Sequence, residues 1–95
     1  MVKDILESWL FSRGLPAYKA RAAAERCEHK IQQGAIPGIS NLTAIRLARI
    51  KPGPLIMAIA SGDQFSGDVL SSTPDDDDLR EAIELLAIEQ IKGAY

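Results

Sequence analysis

Three cations, Arg46, Arg49 and Lys51, stand just behind the Pro37-Gly38 break, and no other group in this 95-residue chain offers a clearer chemistry. Such a group neutralises phosphates or carboxylates, an electrostatic contact that weakens as salt rises. The other chemically capable residues are scattered. Cys27 and His29 are the single cysteine and the single histidine. Their spacing within a helical stretch turns them to different faces, and a zinc site needs a second cluster of ligands that the sequence lacks. Asp75, Asp76, Asp77 and Asp78 are followed by Glu81, but a run of acids fits a helix start, where the dipole favours negative charge, and no glycine-punctuated calcium loop surrounds them. With no glycine-rich phosphate loop and no nucleophile beside a base, the expectation is a chain without catalytic, cofactor or metal site.

The elements that must position these residues read as helices joined by Gly/Pro corners. Val2, Leu6, Trp9 and Leu10, with Ile5 beside them, give residues 2–12 one apolar face. Arg13-Gly14-Leu15-Pro16 closes that helix, with Gly14 suited to a left-handed position and Pro16 to the first turn of the next. Residues 17–33 form a second helix, in which Ala20, Ala24, Cys27 and Ile31 make a seam of mostly small side chains that would let another backbone come close. Lys19, Arg21, Arg26 and Lys30 surround that seam, with Arg21 and Glu25 at pairing distance along the helix.

Residues 34–38 end the second helix, and Ser40 or Asn41 caps a third that runs to Ile50. Its core positions are expected to be Ile39, Leu42, Ile45 and Ile50. Lys51-Pro52-Gly53-Pro54 breaks the chain again. The apolar run 55–60 reads as a short buried helix, and residues 61–72 as a loop anchored by Phe65, Val69 and Leu70. Thr73-Pro74-Asp75-Asp76 starts the last helix with a capping hydroxyl, proline at the first position and acids in the first turn. Leu79, Ala82, Ile83, Leu86, Ala87 and Ile91 are its expected buried face.

The residues Ile36-Pro37-Gly38-Ile39-Ser40-Asn41-Leu42-Thr43-Ala44 resemble the helix-hairpin-helix motif of DNA-binding proteins, whose hairpin commonly reads hydrophobic-Pro-Gly-Ile-Gly-x-x-Thr-Ala. The match covers Pro37, Gly38, Ile39, Thr43 and Ala44, with Leu47 at a packing position, and departs at Ser40, where that family has glycine. The resemblance implies backbone N–H groups aimed at a phosphate, without base reading. The same stretch is also similar to the turn and recognition helix of a helix-turn-helix, which would bring Asn41, Leu42, Thr43 and Arg46 towards a major groove. A plain helical corner is the third reading. The nucleic-acid residues so implied are Gly38, Ser40, Asn41, Thr43, Arg46, Arg49 and Lys51.

Charge divides the chain more sharply than its net of −2 suggests. Residues 1–56 hold nine bases against four acids, a net of +5, whereas residues 57–95 hold two against nine, a net of −7. Either a basic surface is paired with an acidic one for partners, or the halves attract each other on folding. A hydrophobic fraction of 46% with few aromatics calls for a core of Leu, Ile and Ala. The sequence therefore predicts a single small all-α domain over residues 1–95, a compact bundle of four or five helices. One cysteine and no long apolar run predict a reducing cytoplasmic setting with no membrane partner. The expected function is that of a small interaction or adaptor domain, regulatory and non-enzymatic, binding a protein partner through the Ala20, Ala24, Cys27 seam and the acids Asp75, Asp76, Asp77 and Asp78. The alternative is sequence-tolerant nucleic-acid binding through the corner at 36–51.

Overall fold

The computed structural model describes residues 2–34, 39–61 and 74–93. Among the described residues are five helices and no strand: α1 (Val2–Ser12), α2 (Ala17–Gln32), α3 (Asn41–Ile50), α4 (Pro52–Ser61) and α5 (Asp76–Gly93). This is the all-α bundle that the sequence predicts. Of the predicted loop at 61–72, Ser61 belongs instead to the end of α4, while its other residues, the capping hydroxyl of Thr73 and the hairpin residues 36–38 lie outside the described residues.

Each corner has a local cause. Gly14 closes α1 at φ +94° and Gly34 follows α2 at φ +77°, the left-handed conformation that a Cβ disfavours. Pro16 stands at the N-cap of α2 rather than inside its first turn, and its carbonyl accepts from the Ala20 N–H at 2.9 Å. The fourth helix begins earlier than its apolar run. Pro52 and Pro54 both lie in its first turn, where their missing N–H groups would have no helical partner in any case. The start of α5 shifts the other way, because the Asp75 carbonyl accepts from the Leu79 N–H at 2.9 Å, which leaves Pro74 ahead of the helix.

At the centre stands α2, which packs against α1, α3, α4 and α5. Its alanines explain this position. Ala20, Ala23, Ala24 and Cys27 are all but inaccessible, and the small side chains let neighbouring helices approach closely. The predicted partner seam is thus corrected: Ala20, Ala24 and Cys27 are 0% exposed and are covered by the chain's own helices, so they offer nothing to a second protein. Around this spine Leu6, Leu10, Leu55, Ile56, Ile59 and Leu86 are the largest fully buried side chains. Each stabilises the fold by about 1.5–3 kcal/mol through loss of apolar area from water. The Cα radius of gyration of 11.9 Å is close to the roughly 12 Å expected of a close-packed chain of this length.

Candidate interaction surface

Most charged residues of α2 are half-buried against partners on other helices, Arg21 being the exposed exception. Lys19, Arg26 and Lys30 fall on one stripe of α2, and across from them Glu84 and Glu89 project from α5. Lys19 Nζ donates to Glu84 at 2.6 Å, Arg26 Nε to Glu89 at 3.1 Å, and Lys30 Nζ lies 3.4 Å from the same carboxylate. Burial pushes the Glu89 carboxyl up, but the opposing hydrogen bonds and charges of Arg26 and Lys30 win and hold it below its ordinary value. The hydrogen bond from Lys19 to Glu84 raises the lysine in turn.

The pattern extends beyond this stripe. Arg13 donates to Asp76 at 3.1 Å and lies 5.1 Å from the Trp9 ring centroid. Arg21 reaches Glu7 at 3.9 Å, not its helical neighbour Glu25, which accepts instead from Gln90 of α5. Glu28 accepts the Lys3 N–H at 2.9 Å, placing a carboxylate at the start of α1 where the helix dipole favours it. The opposite charges of the two halves therefore meet inside the domain.

The third helix differs. Ser40 caps it, its Oγ accepting from the Thr43 N–H at 3.2 Å, so one of the N–H groups available to a phosphate at this helix start is already engaged. Ala44 and Ala48 point into the core, with Ile39, Ile45 and Leu47 packed at its edge. A period of 3.6 residues then puts Leu42, Arg46, Arg49 and Ile50 on the opposite face. Leu42 is 60% and Ile50 73% exposed, which corrects their expected place in the core. Small residues lie inside because α3 sits close to α1, α2 and α4, and the large ones are left outside.

Arg46 and Arg49 are exposed, and among the described residues no carboxylate lies within ion-pair distance of either. Lys51 is exposed at the joint between α3 and α4, where its N–H closes α3 on the Leu47 carbonyl at 2.7 Å and its own carbonyl starts α4. Of the predicted nucleic-acid residues, Ser40, Asn41 and Thr43 are exposed at the start of α3, Arg46 and Arg49 share its outer face, and Gly38 lies outside the described residues. Lys19, Arg26 and Lys30 of α2, which would have extended a basic surface, are engaged by Glu84 and Glu89. Ile50 also borders a cleft of about 330 Å³ that includes Trp9, Pro52, Pro54 and Pro74.

The predicted acidic residues separate by role. Asp76 pairs with Arg13, and the Asp75 backbone opens α5, while Asp77 and Asp78 are exposed and have no cation within ion-pair distance among the described residues. Further along the same outer face come Glu81, Leu85 and Ile88, the two apolar residues being 49% and 46% exposed. Sequence reasoning missed this face, although Leu85 and Ile88 fall off the stripe made by Leu79, Ile83 and Leu86. Ile91, expected in the core, is 47% exposed for the same reason.

Cys27 is buried and its thiol is pushed up to about 12 by loss of solvation. Among the described residues no three His, Cys, Asp or Glu side chains converge as metal ligands, and no helix is long and apolar enough to cross a membrane. No known family model matches the chain, and neither a curated protein nor a solved structure is similar to it.

Proposed function

We propose that this chain is a small, non-enzymatic protein-interaction domain of the cytoplasm, and that its contact surface is the outer face of α3. One observation carries the reading: Leu42 and Ile50 stand 60% and 73% exposed beside Arg46 and Arg49, whose charge nothing in the described part of the molecule neutralises. Covering a leucine or isoleucine fully is worth about 1.5–3 kcal/mol each. Arginine beside apolar groups is also a frequent composition of protein interfaces. The complementary partner carries carboxylates next to apolar side chains. Phosphate backbone matches the arginines but leaves Leu42 and Ile50 without a counterpart, which is why nucleic acid ranks second. The cytoplasmic setting draws support from a lone cysteine that is buried and has nothing to pair with.

A titration followed by amide NMR compares the two partners directly. An acidic amphipathic helical peptide is expected to shift the resonances of Leu42, Arg46, Arg49 and Ile50, and duplex DNA of equal charge to leave them in place. If DNA alone moves them, with a log–log salt slope of about −3 for three cations, the nucleic-acid reading replaces this one. If neither moves them, the outer face of α3 is not a contact surface.

A further inference from the structure

We propose that the partner of the α3 face is a second copy of this chain, which docks through the outer face of its α5. This deepens the reading of α3 as the contact surface and rests on it. The two faces match in charge and in spacing. Along the centre of the outer face of α3 the order is Leu42, Arg46, Arg49, with steps of four and three residues, flanked by the exposed Asn41, Thr43 and Ile50. Along α5, read from its C-terminal side, it is Leu85, Glu81, Asp78, again with steps of four and three. Both sets span two helical turns, about 10.5 Å at 1.5 Å per residue. Laid antiparallel, the helices therefore bring Leu42 to Leu85, Arg46 to Glu81 and Arg49 to Asp78 at once. A parallel arrangement fails, because Leu42 would then face Asp78.

The two faces are complementary and are not used on each other within one chain. The inner side of α3 packs on α1, α2 and α4, and that of α5 on α2 and α4. Arg46, Arg49, Asp78 and Glu81 all lack an ion-pair partner among the described residues. Leu42 at 60% and Leu85 at 49% exposed supply the apolar contact at one end of the charged pairs. Unlike faces joined in this way extend head to tail, or close into a pair when both contacts form around a two-fold axis. Two single-helix faces bury less than the roughly 1,200 Å² of a standard stable interface. The association is accordingly weak and sensitive to salt.

Sedimentation velocity of the purified chain over a concentration series tests this. The mean mass is expected to rise with concentration at low salt and to fall back when salt is added. Arg46→Glu with Arg49→Glu, and separately Asp78→Arg with Glu81→Arg, should each weaken association by at least about tenfold. Mixing the two variants should restore it, since each then presents the charge that the other needs. Restoration excludes misfolding as the cause of the loss, because all four positions are exposed and each variant must retain its helical circular dichroism. A wild-type chain that stays monomeric throughout, variants that associate as well as the wild type, or a mixture that does not recover overturns the proposal. If the wild type is monomeric while the acidic peptide still shifts the α3 resonances, only the second copy is ruled out. If the peptide also fails, the contact surface itself falls.

Discussion

At the scale of single residues, Cys27 shows how position decides chemistry. It sits at 0% exposure on the central helix, and burial raises its thiol to about 12, so almost no thiolate exists at neutral pH. Its rate of reaction with a thiol reagent should therefore track global unfolding. Labelling of the native protein is expected to be slowed by the full unfolding equilibrium and to become fast at the denaturant midpoint. Rapid labelling without denaturant would show that α2 opens locally. Cys27→Ser should cost about 1–3 kcal/mol in chemical denaturation, since it buries a hydroxyl among apolar groups. The single cysteine was legible as a small buried side chain because a helix at that spacing must turn Ala20, Ala24 and Cys27 the same way.

At the scale of elements, helix existence was easy to read and the choice of inward face was not. Gly14 and the Pro/Gly joints announce themselves through backbone conformations that few other residues share. The orientation of α3 carries no such local mark. Apolar residues occur on both its faces, Ala44 and Ala48 on one and Leu42 and Ile50 on the other, and a rule that puts larger side chains inside selects the wrong pair. Only the closeness of α1, α2 and α4 decides in favour of the alanines. The same closeness governs α2. Ala24→Leu would strengthen a seam meant for a partner, yet here it forces extra methylenes into a filled interior and should destabilise by about 1–3 kcal/mol, read as a fall in denaturation midpoint. A neutral result would mean that α2 is packed less tightly than its burial implies.

At the scale of the whole molecule, the fold joins its basic and acidic halves. This was half legible: the charge imbalance is plain in the sequence, but ion pairs between residues 63 and 65 positions apart leave no trace in local spacing. They follow from which helices the alanine spine brings together. Glu89, held down by Arg26 and Lys30, contributes to the pH dependence. A carboxyl whose folded value is lowered contributes stability in full above its ordinary value of 4.5, and that contribution is lost as pH falls through the lower folded value. Stability should thus drop on acidification below about pH 4.5, and Glu89→Gln should shrink that drop while costing about 0.5–1 kcal/mol at neutral pH. Thermal melts of both proteins across the acid range check this. An unchanged acid profile in the variant would show that other carboxylates carry the transition. Lys19, raised by Glu84, has the opposite sign: its contribution is complete below 10.5 and is lost as pH rises through its higher folded value.

The distance along the chain between α2 and α5 also has a consequence in time. Lys19 and Glu84 are 65 residues apart, so at about 5–20 residues per second of synthesis the lysine precedes its carboxylate by about 3–13 s. Through that interval Lys19, Arg26 and Lys30 lack the carboxylates that they meet in the fold, and the side of α2 that packs on α5 is uncovered. Arrival of α5 covers that side and supplies Glu84 and Glu89 to the three cations. The pairing of these cations therefore cannot precede the synthesis of α5, however early α1 and α2 are formed.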